Sequence, residues 1–207
     1  MKVLTEARRE AIVAAASKLF QEHGYEGASM NELATRLRGS KATLYRYFPS
    51  KEALFDAVVR GSSTWHLSKA VDDLQVNHRD ATAGDIRVVL QTFGETMLRV
   101  ITDETGALAV YRMVVAEAGR SEVGELFYQA GPRQSIAALG VFMQHAMDRG
   151  ELRPADPEYV ANCFLALVAA DVQPRLFQRN PRPLSVEEIR TMVERAVDMF
   201  LAGAAAS

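Results

Sequence analysis

The chain has 207 residues, 48% of them hydrophobic and 24% charged. At ~150 residues per domain, that length allows one domain or two small ones, and the composition excludes a disordered chain. Cys163 is the only cysteine, which excludes an intrachain disulfide and a cysteine-based metal cluster, and one thiol suits a reducing cytoplasm. The net charge of −2 hides a division: residues 1–51 carry nine Lys and Arg against five acids, a balance of +4, and the remainder carries −6. A basic head on an acidic body is expected where one end of the molecule approaches a polyanion. No apolar run reaches the ~18 residues of a membrane span. Ala161 to Ala170 reads as a buried helix, and Ala11 to Ala16 is too interrupted by Glu6, Arg8, Arg9, Glu10 and Lys18 to be an export signal. The expected location is cytoplasmic, with no membrane partner.

Helix signals dominate from the start. Ile12, Ala15, Ala16, Leu19 and Phe20 follow helical spacing, with Thr5 as N-cap and Gly24 as stop. Ser29-Met-Asn-Glu32 fits a capping box, opening a two-turn helix with the stripe Met30, Leu33, Ala34 and Leu37. After Gly39, Ser40 can cap a third helix that turns Leu44 and Phe48 inward. Pro49 ends it, and Ser50 caps a fourth helix with Glu52 in its first turn.

Two short helices joined by a tight turn and braced by a longer one make a helix-turn-helix, which lays its second helix in the major groove. Here that helix would present Ser40, Lys41, Ala42 and Thr43, then Tyr45, Arg46 and Tyr47. Hydroxyl, ammonium and guanidinium groups are the donors that phosphates require. Lys51, at the start of the fourth helix, adds another. A solvated helix face fits the same spacing, so the spacing leaves both readings open.

The residues Gly24-Tyr25, Ser29-Met30, Ala34, Ser40 to Phe48 (SKATLYRYF) and Ser50 to Phe55 (SKEALF) resemble the DNA-binding head of the tetracycline-repressor (TetR) family over about Ala7 to Val59. The resemblance implies an all-α homodimeric repressor of double-stranded operator DNA. Residues 1–51 would be the helix-turn-helix head, and 52–207 would be an effector-binding and dimerisation body. It further implies Lys41, Thr43, Tyr45, Tyr47 and Lys51 as DNA contacts, with Ser29 and Arg36 on the backbone. One departure stands out. The turn carries Arg38-Gly39, its glycine one residue later than the family usually places it, so an altered turn, or Leu37 filling the space between the helices, is expected.

The body continues in helices. Asp72 to Gly84 is the most loop-like stretch. Ile86 to Ile101 and Leu108 to Ala118 carry helical stripes. A helix capped at Ser121 should break at Gly131-Pro132 and resume to Gly150. Asp156-Pro157 opens the next helix, with Val160, Ala161, Phe164, Leu165 and Val168 on one face. Ser185-Val-Glu-Glu188 is a second capping box with a Leu184–Ile189 staple, followed by the stripe Ile189, Met192, Val193, Ala196, Val197, Phe200 and Leu201.

Intrachain packing would account for that stripe. The resemblance favours a four-helix dimer bundle, giving Val160, Phe164, Ile189, Met192, Val193, Ala196, Val197 and Phe200 as interface. Trp65, His66, Phe93, Met97, Tyr111, Met143 and Phe164 are the side chains an apolar small-molecule effector would want around it, although residues of this type at helical spacing equally make ordinary core. Glu117 and Asp171 fall beside apolar stripes, either as acids facing a cationic ligand or at a helix edge.

No nucleophile elbow, dinucleotide fingerprint, P-loop or H-E-x-x-H occurs. The four histidines have no metal-ligand spacing, and no cofactor or metal is expected. The reading is a repressor released by a small apolar molecule. The alternatives are a dimeric regulator without such an effector and, more remotely, an all-helical enzyme.

Overall fold

Helices form where apolar side chains recur every three to four residues, and six of the described helices have their N-terminal ends marked by side-chain caps. A computed structural model describes residues 5–61, 86–102, 107–178 and 181–206. Within them lie ten α-helices: α1 Glu6–Gly27, α2 Met30–Arg36, α3 Lys41–Tyr47, α4 Lys51–Val59, α5 Ile86–Ile101, α6 Ala107–Glu117, α7 Val123–Ala130, α8 Pro132–Asp148, α9 Pro157–Ala169 and α10 Val186–Ala204. A short 3₁₀ turn spans Gln173–Phe177. The described residues contain no strand beyond one antiparallel bridge, Leu152 to Ala205, so the chain is all-α as expected. None of the described helices is long and apolar enough to cross a membrane.

The caps expected from sequence are in place. Ser40, Ser50 and Asp156 accept from the amides of Thr43, Ala53 and Tyr159. Ser185 completes its box, accepting from the Glu188 amide at 3.2 Å while Glu188 accepts from the Ser185 amide at 2.9 Å. The box at Ser29 is only half formed. Its hydroxyl accepts from the Glu32 amide, but the Glu32 carboxylate turns to Arg36 at 2.8 Å, because an ion pair one helical turn away outcompetes a neutral amide. The break at Gly131-Pro132 falls where expected, between α7 and α8. Ser121 is not the formal cap of α7; the cap position is Glu122, without a side-chain bond.

The described residues fall into two compact units, one made of those up to 61 together with 107–131 and the other of 86–102 with 132–206. In the first, Phe20, Tyr25 and Phe55 meet with ring centroids 5.0–5.7 Å apart. Around them pack Ile12, Leu19, Leu33, Leu44, Phe48, Leu54, Val58, Val110 and Val114. Helices α6 and α7 therefore share a core with α1–α4. The expected division at residue 51 concerns what each part handles, whereas this one concerns where the apolar side chains meet.

In the second unit α5, α9 and α10 lie against one another. Gly94 of α5 leaves room for a close approach, since a Cβ there would lie 2.8 Å from Val193 Cγ1. Phe164 packs against Phe93 and Phe200 at 6.4 and 5.3 Å between centroids. The residues expected at the dimer surface take part in this packing. Val160, Phe164, Ile189, Val193, Ala196, Val197 and Phe200 are all buried within one protomer, with Met192 half-buried beside them. The physical reason is that one stripe on α10 fits against α5 and α9 of its own chain, which covers all of those side chains except part of Met192. The C-terminus is tied back by Arg153 donating to the Ala204 carbonyl at 2.9 Å and Ala206 to that of Glu151 at 3.1 Å.

At the start of α10, the Arg182 guanidinium and the Ser185 amide hold the Glu188 carboxyl down at about 2, against an ordinary 4.5. A depressed carboxylate stabilises the fold above its ordinary pKa, and that contribution disappears as pH falls from about 4.5 to about 2. Glu188→Gln should therefore unfold more readily than the parent near neutral pH in urea, with the difference closing across that acid window. A constant difference down to the lower limit would remove this role.

Candidate nucleic-acid interface

A seven-residue helix is too short to persist alone in water, so what holds α3 decides what it can show. Within α3 only Leu44 is buried, and Phe48 follows as the C-cap; both enter the core of the first unit. Arg9 lies over the Phe48 ring at 5.2 Å. With that side inward, Ser40, Lys41, Ala42, Tyr45 and Arg46 are exposed and Thr43 and Tyr47 half-buried. The Lys41 ammonium rests 5.8 Å from the centroid of Tyr45. From Leu33 to Lys51 the chain carries five cations and no carboxylate. This is a cationic, hydroxyl-bearing face of a size and chemistry suited to a phosphodiester backbone.

The other expected contacts turn out to brace this face. Lys51 Nζ donates to the carbonyls of Tyr25 at 2.8 Å, Ala28 at 3.3 Å and Glu26 at 3.5 Å and sits 4.3 Å from the Tyr25 ring centroid. Its ammonium is thus committed to the end of α1, and what α4 leaves for an anion is its N-terminal amides. The Arg36 guanidinium lies between Glu22 at 2.6 Å and Glu32 at 2.8 Å, and these hydrogen-bonded carboxylates raise its pKa further. Ser29 is occupied as the cap of α2. The Tyr47 hydroxyl accepts from the Thr5 amide at 3.0 Å, fixing the start of α1 while keeping its own proton to donate.

Behind the face, Tyr25 is buried and its hydroxyl donates to Glu52 at 3.4 Å. Burial first, and the Glu52 charge second, push its phenol pKa upward. The Ser50 hydroxyl is the main cause holding the Glu52 carboxyl below its ordinary value.

The turn before α3 differs as the sequence suggested. Leu37 packs partly buried against the head core. Gly39 donates to the Ala34 carbonyl at 2.9 Å and Arg38 to that of Thr35 at 3.0 Å, a Schellman ending in which the left-handed position is held by Arg38, at φ +48°. Arg8 of α1 reaches across to donate to the Leu37 carbonyl at 3.1 Å.

The effector candidates separate. Phe93, Met143 and Phe164 are buried in the second unit's core, with Met97 half-buried against it. Tyr111 belongs to the first unit, exposed beside Phe127. Trp65 and His66, like the loop Asp72 to Gly84, lie outside the described residues. Asp171 is paired with Arg195 at 2.6 Å. Glu117 was open to a ligand-facing reading; instead it accepts from the Glu26 amide at 3.2 Å, beside Gly24, which interrupts α1 at φ +72°. Sequence alone gave no signal for this link between residues 91 positions apart.

A Cβ on Gly24 would lie 1.8 Å from Glu117 Oε1 and would also occupy left-handed backbone. Gly24→Ala should lower stability by about 1–3 kcal/mol, read by chemical denaturation. Adding Glu117→Ala should recover only part of that loss, because it removes the clash and leaves the backbone strain; full recovery would show that φ at Gly24 costs nothing.

Comparison with known proteins places this geometry. Residues 12–58 match the model for bacterial regulatory proteins of the tetR family, and residues 88–203 match that for the C-terminal domain of AefR-like transcriptional repressors. A helix-turn-helix-type transcriptional regulator of Mycobacterium tuberculosis is 31% identical over 156 residues, covering 75% of this chain and 68% of its own. A TetR-family regulator from Mesorhizobium loti superposes with a TM-score of 0.77 at 26% identity, covering 98% of this chain and all of that one. The flavonoid-responsive regulator FrrA superposes at 0.69 with 32% identity, covering 96% and 98%. The exposed cationic helix, the frame that holds it and both family matches agree: the chain belongs to the TetR family of helix-turn-helix transcriptional repressors, which bind operator DNA rather than catalyse a reaction.

Proposed function

We propose that two copies of this protein dock α3 in successive major-groove faces of an operator in the cytoplasm and leave it when a small, largely apolar aromatic molecule binds the body. The observation that carries the DNA half is the outward face of α3, set on a stretch with five cations and no acid. Ser40, Lys41, Thr43 and Tyr45 reach the DNA. Tyr47 offers its hydroxyl proton to a phosphate, while Ser29, Arg36 and Lys51 hold the frame around them.

A dimer is supported by geometry of recognition, since a two-fold protein reads half-sites ~34 Å apart that one small head could not grip tightly. With the inner stripe of α10 used up, the interface falls on the outer faces of α9 and α10. There Tyr159 and Met199 are 68% and 66% exposed, and Asn162, Ala166, Thr191 and Ala202 are exposed as well.

For the effector, support comes from FrrA, a flavonoid-responsive regulator to which this chain is 32% identical. Phe93, Met97, Met143 and Phe164, with Trp65 and His66, are the side chains proposed to receive a ring system. Within the first unit, a shift of α6 would pull on the backbone of α1 at Glu26 through Glu117. Such coupling requires that the effector favour one arrangement over the other.

The test uses a fluorescent duplex enriched by the protein itself from a random-sequence library. Binding should weaken steeply with salt, and a flavonoid aglycone should displace the protein from the duplex; persistence at saturating aglycone would leave a dimeric regulator without this effector class. Lys41→Ala and Tyr45→Phe should each weaken binding several-fold with unfolding midpoint and dimerisation unchanged, and normal affinity in both would remove α3 as the reading helix. Met199→Glu together with Tyr159→Glu should yield folded monomers by sedimentation equilibrium. A dimer that survives both would place the interface elsewhere.

A further inference from the structure

The left-handed position that closes α2 is one where glycine is the unstrained residue and a residue with a Cβ carries a penalty. Here the chain has a glycine available and places it one step late. Arg38 takes φ +48°, while Gly39 serves a different need, since a Cβ on it would come within 3.1 Å of Arg8 Nη2. That clearance lets Arg8 reach the Leu37 carbonyl. The turn is thus locked from α1, and the strained residue is retained inside a well-bonded Schellman ending.

Nothing in the fold uses the Arg38 side chain. It is exposed, and among the described residues it has no hydrogen-bond or ion-pair partner. Other arginines of the head are engaged: Arg8 with the Leu37 carbonyl, Arg9 with Glu6, Arg36 with Glu22 and Glu32. Arg38 stands two residues before the cap of α3, on the stretch without carboxylates. A strained conformation kept for a residue idle in the fold points to a task outside it.

The geometry points to Arg38 as a phosphate clamp at the mouth of the recognition helix: its guanidinium takes a DNA backbone phosphate next to the bases that α3 faces. The left-handed turn aims it outward while Arg8 keeps the turn from relaxing. Guanidinium suits this role because its fork of donors matches phosphate oxygens. The contact carries no base information, so it sets register and affinity rather than sequence choice. This inference rests on α3 being the DNA-reading helix.

Three variants separate charge from strain. Arg38→Gly removes both, and should raise the unfolding midpoint by about 2–4 °C. It should also weaken binding to the enriched duplex about five- to tenfold at low salt and reduce the slope of log K against log salt by about 0.9 per head. Arg38→Gln should match that loss of affinity and slope without the gain in midpoint. Arg38→Lys should keep most of the slope. The inference is overturned if Arg38→Gly and Arg38→Gln bind with unchanged affinity and slope while Lys41→Ala still weakens binding. It is also overturned if Arg38→Gly unfolds at a lower temperature, which would make the side chain structural. Unchanged binding in Lys41→Ala and Tyr45→Phe as well would instead bring down the DNA-facing role of α3, and this inference with it.

Discussion

The recognition helix is held by two side chains. Leu44 and Phe48, one turn apart, are the buried anchors of α3, with Tyr47 packed partly beside them, and a helix of seven residues has no stability of its own to fall back on. Everything the helix presents follows from that anchoring. With Leu44 and Phe48 inward and Thr43 and Tyr47 half-buried, Ser40, Lys41, Ala42, Tyr45 and Arg46 are left facing solvent, and the Ser40 cap makes the N-terminal turn rigid enough to present them in a fixed order. The core that receives Leu44 and Phe48 must therefore be stiff. The Phe20, Tyr25 and Phe55 cluster supplies that, with aromatic rings in edge and tilted contacts that resist sliding.

Cations around this helix divide into those that build the frame and those that face outward, and distance to a neighbour decides which. Lys51 meets three carbonyls left over where α1 ends at its kink, so its ammonium becomes part of the backbone hydrogen-bond network. Arg36 has Glu32 one helical turn before it and Glu22 from α1. Arg8 serves the turn. Among the described residues, Lys41 and Arg38 have no carboxylate paired with them. The head thus neutralises its structural cations internally and leaves its positive potential concentrated at one edge, where a polyanion is attracted without unbalancing the fold.

The Glu117 contact extends this frame beyond the head proper. A carboxylate from α6 occupies the space vacated by the missing side chain of Gly24 and accepts an amide that the interrupted helix could not satisfy internally. The segment 107–130, by sequence part of the body, therefore shares both a core and a polar link with α1. Hydrophobic burial is non-directional, which is why the boundary between head and body is not drawn by charge or composition alone.

The sequence by itself determined the helical class, most helix ends and the inward positions of α3. These depend on residues three or four apart, and that spacing is set by the helix and nothing else. The string from Ser40 to Phe55 likewise identified the family. Only the tertiary structure decided which cations were consumed, that the α10 stripe closes on α5 and α9 of its own chain, that Gly24 receives Glu117, and that Arg38 holds the left-handed turn. An apolar stripe carries no mark of the surface that will cover it, and a charge carries no mark of the partner that the fold will bring within 3 Å. Both are settled by contacts between residues distant in sequence, whose distances exist only once the chain has packed.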